Sequence, residues 1–424
     1  MRFDKISSVN GILEFEGDKS ISHRAVIFSS LAEGESVIKN ISLGEDVRRT
    51  IECFEKMGID FYRESEGLTI QGRGLGKLLQ PTEPLFCGNS GTTARLISGI
   101  LACQQFDSQI TGDSSLSNRP MKRIVEPLRE MGGIVKARDN NFLPIDFKIS
   151  KQLEPLNYFL SVPSAQVKSA LILAAIHLEG ISVISEQAIT RDHTELMLGL
   201  RTEVYDDKRI IYASRADYPK AKNYFIPGDI STAAFFIVLA LITKNSELLI
   251  KRISYNPTRT GFISILQKMG GDIKVIKTEM SNGELIADLL IRSSNLSNIK
   301  IEKDLIPIII DEIPVLAIAG LFATGDFEIN GARELRAKES DRIVSICGNL
   351  RNAGAEVDEY DEGFSIKGNK VAKSAIFRSY DDHRIIMAMT ILSLLLENGG
   401  KIDNFECVKI SNPNFIKQLE KVCR

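Results

Sequence analysis

Leu128 to Val135, LREMGGIV, carries the end of a helix and the start of a strand in eight residues. A glycine directly after Leu-x-x-Met suits the left-handed backbone that closes a helix, after which the chain reverses into an extended run. The same wording returns as FEKMGIDF, LQKMGGDIKVI and LRNAGAEV. Their glycines, Gly58, Gly132, Gly270 and Gly354, are spaced by 74, 138 and 84 residues. The doubled middle interval predicts a further unit near residue 200, and MLGLRTEVYDD with Gly199 fills it, 67 residues after Gly132 and 71 before Gly270. A sixth unit would close on FIKQLEKVCR without its final strand. Periodicity of this kind predicts six mixed helix–strand units of roughly 70 residues, three in each of two halves, hence an α/β protein. The plainer alternative is that Leu-x-x-x-Gly-Gly is only a common helix ending.

Bulk properties bound the rest. The chain has 424 residues, 43% hydrophobic and 25% charged, with a formal net charge of −2. That balance fits a soluble globular protein and argues against wholesale binding of nucleic acid or anionic membrane. MRFDKISSVNG has no apolar signal core, and Ala233–Ile242, the longest clean apolar run, is about half the length of a bilayer span. Six cysteines form no CxxC pair and four histidines are scattered, so neither a disulfide framework nor a metal site is expected. A cytoplasmic protein without a cofactor is the resulting expectation.

Polar chemistry concentrates where helices begin. Ser90-Gly91-Thr92-Thr93, Ser164-Ala165-Gln166 and Asp229-Ile230-Ser231-Thr232 each put a capping residue before an apolar run. Such starts offer free backbone N–H groups and the positive end of a helix dipole. Basic residues gather beside them: Lys19 and Arg24 in EGDKSISHR, Arg95 in CGNSGTTAR, Arg119, Lys122 and Arg123 in TGDSSLSNRPMKR. Lys168 follows in SVPSAQVKS, Lys338 and Arg342 in ELRAKESDR, and Arg384 in YDDHR. EGDKSISHR resembles a phosphate loop only superficially, because GxxxxGK[ST] is absent. Each cluster alone could be a solvated face or a plain cap. Their recurrence suits a ligand with several anionic groups, gripped bidentately by arginine and by lysine as a point charge. The interleaved acids Asp46, Asp229, Asp311 and Glu339 would then move protons or bind hydroxyls. Residue chemistry alone thus reaches an enzyme, or a binding protein, for a small phosphorylated or carboxylated molecule.

The motif order GDKSISHRA, GNSGTTARL, RPM, PSAQVKSA, TRDHTE, PGDISTAAF, NPTRTG, DEIPVLAIAG, ELRAKESDR, DDHR resembles the EPSP synthase family of enolpyruvyltransferases, over about residues 10–420. The resemblance implies a two-domain inside-out α/β barrel with three βαβαββ-type repeats per domain. One domain would span 18–227 and the other 1–17 with 228–424, with hinge crossings near Gly17 and Gly228 and a ligand cleft that closes. It implies addition and elimination: the enolpyruvyl group of phosphoenolpyruvate passes to the 5-hydroxyl of shikimate 3-phosphate, and phosphate leaves. No cofactor, metal, nucleic acid or membrane enters, and a monomer is implied.

Family roles fall on matching residues. Lys19 would contact both substrates. Ser20, Arg24, Ser164, Ala165, Gln166, Arg191, Asp311 and Lys338 would hold shikimate 3-phosphate. Asn89, Gly91, Arg119, Gln166, Arg342, Arg384 and Lys409 would meet phosphoenolpyruvate. Asp311 would be the base near the 5-hydroxyl and Glu339 a proton donor or shuttle to the methylene carbon, with Lys19 as third catalytic group; the sequence does not set which of the three moves which proton. Two positions depart from the pattern: Lys409 stands one place out of register before Ser411-Asn412-Pro413, and a serine lacks a match before TRDHTE, where Arg191 would take its contact. The resemblance implies that Gly91, where a larger residue would crowd the pocket, would leave room for glyphosate, a phosphoenolpyruvate competitor. The sister UDP-N-acetylglucosamine enolpyruvyltransferase carries a cysteine where this chain has Ser114, and Lys-Asn where it has Lys19-Ser20. A silent anion binder of the same fold would gain nothing from carboxylates beside its anion.

Overall fold

The computed structural model describes residues 1–64, 67–368 and 370–424. The chain divides into two compact units. The first holds Gly17–Ile226 with Ser281–Glu284, and the second holds Met1–Glu16, Pro227–Met280 and Leu285–Arg424. Residues 281–284, placed by the sequence reading in the second half, are the tip of the hairpin Asp272–Ser281/Glu284–Arg292 and group with the first unit. Each unit has its own apolar core.

There are six sheets among the described residues, three in each unit. In the first unit every sheet follows one plan: a short strand runs parallel to the next, which pairs antiparallel with the far arm of a hairpin. Leu85–Phe86, Ser108–Thr111, Phe142–Lys148 and Ile134–Arg138 form one such set, and Asn157–Leu160, Ser182–Glu186, Lys208–Ala213 and Thr202–Tyr205 another. The glycines that mark the repeats enter these hairpins with φ of +83° (Gly58), +92° (Gly132), +69° (Gly199), +99° (Gly270) and +82° (Gly354). A side chain is strained there, which explains the recurring Gly.

Three sheets borrow a strand from far along the chain, one of them when Asn10–Glu14 pairs parallel with residues 247–251. Glu33–Lys39 receives its parallel neighbour from Tyr224–Phe225, at the end of the first unit. The sixth sheet, expected to lack its last strand, gets it from the N-terminus: Arg2–Phe3 pairs antiparallel with Gly400–Ile402. A linear repeat count cannot see this, because the closing strand precedes all six units.

Each repeat also contributes one helix to the interior: Lys19–Leu31, Gly91–Leu101 and Ala165–Ala175 in the first unit, then Ile230–Ile242, Ile313–Phe322 and His383–Ser393 in the second. Almost every position on them is buried, including polar side chains such as Ser22, His23 and Arg24, as interior helices must be. The sheets lie outside them. Gly99 shows how tightly two of them meet: a Cβ there would stand 2.0 Å from the Ala170 carbonyl oxygen. No single helix among the described residues is long and apolar enough to cross a membrane.

Candidate functional site

All six interior helices begin at a residue type that can cap or carry charge: Asp18, Ser90, Ser164, Asp229, Glu312 and Asp382. The polar residues singled out in sequence sit mainly at these starts.

In the first unit Asp18 accepts from the Ile21 amide at 2.9 Å, which fixes the opening turn. Lys19, next in line, places its ammonium 2.9 Å from Asp46, at the start of the helix Glu45–Lys56. Ser20 is half-buried and Arg24 lies one turn on, only 3% exposed. Arg24 donates to Thr194 and Ser169 at 2.7 Å each and to the Ser20 carbonyl at 2.9 Å. Burial draws its guanidinium down to about 10; Glu195, Asp18 and Glu284 oppose that, and Arg191 adds to it. Arg191 is therefore near Arg24, half-buried just before the helix His193–Leu198. His23 on the same helix is fully buried beside Thr50 (2.7 Å), and burial pushes its imidazole down to about 3, so it is neutral.

The second helix start gathers the loop residues. Arg119 bridges Asn89, donating to its side-chain oxygen and, at 3.4 Å, to its carbonyl, while Asn89 donates to Asp113 at 2.9 Å. A Cβ on Gly91 would lie 2.8 Å from Arg95 Nη1 and 3.5 Å from Arg119 Nη1. Arg95 in turn donates to Gln166 Oε1 at 2.6 Å, and Gln166 donates to Thr92 at 3.0 Å. Gln166 thus joins the Asn89–Arg119 set, while Ser164 and Ala165 open its helix, half-buried. Ser164 caps that helix through the Val167 amide.

The second unit holds a denser charge cluster. Arg342, 1% exposed, grips Asp382 at 2.8 and 3.3 Å, Glu339 at 2.6 Å and Asp311 at 3.2 Å. Burial would lower this guanidinium, but Asp382, Glu339 and Asp311 more than offset it, so it stays fully charged. Burial likewise favours the protonated form of Asp382, and Arg342 overcomes that to hold its carboxyl below the usual range. Arg384 donates to the Asp311 carbonyl at 3.0 Å and stands 3.6 Å from its carboxylate and 3.8 Å from Glu312. Behind these, buried Arg259 donates to Ser231, which donates to Glu312, both at 2.5 Å. Lys338 is half-buried between the single-turn helix Arg333–Ala337 and Glu339.

One expected residue is brought to none of these sets. Lys409 is exposed and pairs with Glu406, one turn away on the surface, at 2.6 Å. Arg95, Glu312, Ser231, Arg259 and Thr194 were not picked out as site residues; each is buried, and nothing local in sequence separates a buried polar residue from a surface one. Among the described residues no group of three His, Cys, Asp or Glu side chains could hold a metal ion. Each unit thus gathers buried or half-buried cations beside carboxylates, a chemistry suited to anionic ligands.

Known proteins resemble this chain in sequence and fold. A family model described as EPSP synthase (3-phosphoshikimate 1-carboxyvinyltransferase) matches residues 3–419. The 3-phosphoshikimate 1-carboxyvinyltransferase of Petrotoga mobilis is 45% identical over 420 residues, 98% of this chain and 97% of its own length. That of Caldicellulosiruptor saccharolyticus is 46% identical over 411 residues, 95% of this chain and 94% of its own. The solved EPSP synthase from Acinetobacter baumannii superposes with a TM-score of 0.87 at 36% identity, covering 100% of this chain and 97% of that one. The enolpyruvyl transferase NikO from Streptomyces tendae, at 13% identity and a TM-score of 0.74, shares the fold over 99% of this chain and 97% of its own.

Proposed function

The chain belongs to the EPSP synthase family, and from that premise we propose how its two side-chain clusters divide one reaction. The activity is that of a 3-phosphoshikimate 1-carboxyvinyltransferase, which moves the enolpyruvyl group of phosphoenolpyruvate to the 5-hydroxyl of shikimate 3-phosphate. In the addition, the 5-hydroxyl oxygen bonds to C2 of phosphoenolpyruvate, its proton leaves, and the methylene carbon gains a proton. In the elimination, the C2–O bond to phosphate breaks and the new methyl group gives up a proton, restoring the double bond.

Binding falls to the cationic helix starts. Arg24, Arg191, Ser20, Ser164, Ala165 and Gln166 hold shikimate 3-phosphate, joined by Lys338. Arg119, Asn89, Gly91, Arg342 and Arg384 hold phosphoenolpyruvate, with Gln166 shared. Lys409 is assigned there only by its place one position from the expected lysine, and its surface pairing with Glu406 gives that assignment no support. Lys19 contacts both substrates, its ammonium kept in place by Asp46.

Proton transfer falls to the carboxylates. Asp311 takes the 5-hydroxyl proton and Glu339 delivers one to the methylene carbon. One observation supports placing both proton transfers on this pair: a single buried guanidinium, Arg342, holds both carboxylates within 3.2 Å. A cation bound by two acids that are themselves meant to react with an anionic substrate couples substrate binding to their release. A steady-state phosphate-release assay with both substrates tests the assignment. Asp311→Asn is expected to lower kcat by about 10²–10⁴-fold with little change in either KM. Turnover close to the parent's would remove Asp311 from the chemistry.

A further inference from the structure

The motif Thr190-Arg-Asp-His-Thr-Glu195 contributes only Arg191 to the site above, yet its next four side chains are all buried and each holds a partner. Asp192 pairs with Arg209 at 3.1 Å, His193 with Glu284 at 2.7 Å and Glu195 with Lys168 at 2.8 Å. Thr194, 1% exposed, accepts from Arg24 Nε at 2.7 Å.

We propose that Thr194 and Ser169 are positioning residues that aim Arg24 at the phosphate of shikimate 3-phosphate. This deepens the function above and rests on Arg24 being a ligand of that phosphate. Three of the five N–H groups of Arg24 meet protein acceptors: Nε on Thr194, one on Nη2 at Ser169, and one on Nη1 at the Ser20 carbonyl. One N–H remains on each Nη nitrogen for an oxyanion. The two hydroxyls lie 2.7 Å apart and hydrogen-bond to each other, so they form one rigid acceptor rather than two independent ones.

The neighbouring charges keep that acceptor in place. Lys168 precedes Ser169 on one helix and Glu195 follows Thr194 on another, so their ion pair fastens the two helices beside the hydroxyl pair. Lys168 also meets Glu186 at 2.7 Å, and Thr190 donates to the second oxygen of Glu186 at 2.7 Å. A lysine and two glutamates this deep are costly to desolvate and add little net stability. Their service is geometric and electrostatic: Glu195 is the strongest single influence keeping buried Arg24 charged.

Steady-state kinetics of Thr194→Val, Thr194→Ser and Arg24→Met test the proposal. Thr194→Val is expected to raise KM for shikimate 3-phosphate about tenfold, leaving KM for phosphoenolpyruvate within about twofold. Thr194→Ser, which keeps the hydroxyl, is expected to stay near the parent. In an Arg24→Met background, Thr194→Val should add nothing, because it acts through Arg24. If Arg24→Met raises that KM and Thr194→Val does not, the positioning role is overturned while the ligand role of Arg24 stands. If Arg24→Met leaves it unchanged, the ligand role fails and the proposal falls with it. Should Thr194→Val fold poorly, Ser169→Ala removes the other hydroxyl from the opposite helix; an unchanged KM there overturns the proposal equally.

Discussion

Lys19 reaches Asp46 with a side chain 16% exposed, so it is neither a surface charge nor sealed away. Removing it takes a positive charge from the point where both substrates are proposed to meet. Lys19→Met is expected to lower kcat/KM by about 10²–10³-fold, read by phosphate release; normal turnover would overturn its role. Gly91 decides a steric question at the same scale. The parent enzyme is expected to be inhibited by glyphosate well below millimolar concentration, and resistance at millimolar levels would contradict that. In Gly91→Ala the new methyl group must push Arg95 aside from 2.8 Å. A rise of about tenfold in KM for phosphoenolpyruvate, about 1.4 kcal/mol, is the expected result, with weaker glyphosate inhibition alongside it.

At the scale of elements, the start of His383–Ser393 combines a cap with a charge hub. Asp382 accepts from the Arg384 amide at 3.0 Å while holding Arg342 in two contacts. Asp382→Asn keeps an oxygen for the cap but leaves the buried guanidinium short of a counter-charge. A loss of about 3–5 kcal/mol is expected, measured by urea unfolding; a loss under about 1 kcal/mol would mean Glu339 and Asp311 suffice. This element also shows what was legible in advance. Capping residues before apolar runs, and glycines after helix ends, act through the local backbone, so the sequence displays them. Arg259 and Glu312 act through Ser231, 28 and 81 positions away, and no local pattern marks such pairs. KESDR looked equally like a solvated helix face, yet Arg342 within it is 1% exposed. For Lys409 the only signal was its position one place away from a lysine expected before Pro413, and its side chain lies at the surface.

For the molecule as a whole, two buried histidines set part of the pH dependence of stability. Burial lowers His23 to about 3 and His177 to about 4, whereas an unfolded histidine titrates near 6.5. The unfolded chain therefore binds more protons than the folded one between those values, and stability rises with pH through that window. Their contribution is complete above about pH 6.5 and is lost as pH falls toward 3–4. Each is expected to cost about 2 kcal/mol between pH 7 and pH 5. His23→Asn, which preserves a polar partner for Thr50, should make the stability-versus-pH curve shallower by about one histidine's share. A slope identical to the parent's would show that His23 is not held neutral.

The borrowed strands carry a consequence for how the chain is made. Arg2–Phe3 pairs with Gly400 and Lys401, and Asn10–Glu14 with 247–251. Residues 17–226, by contrast, hold every strand of three sheets. During synthesis the first sixteen residues therefore emerge before either of their partners exists. At ribosomal speeds of about 5–20 residues per second the terminal strand waits on the order of tens of seconds. The intervening unit can fold in that time, while the leading segment stays an unpaired edge open to chaperones and to mispairing.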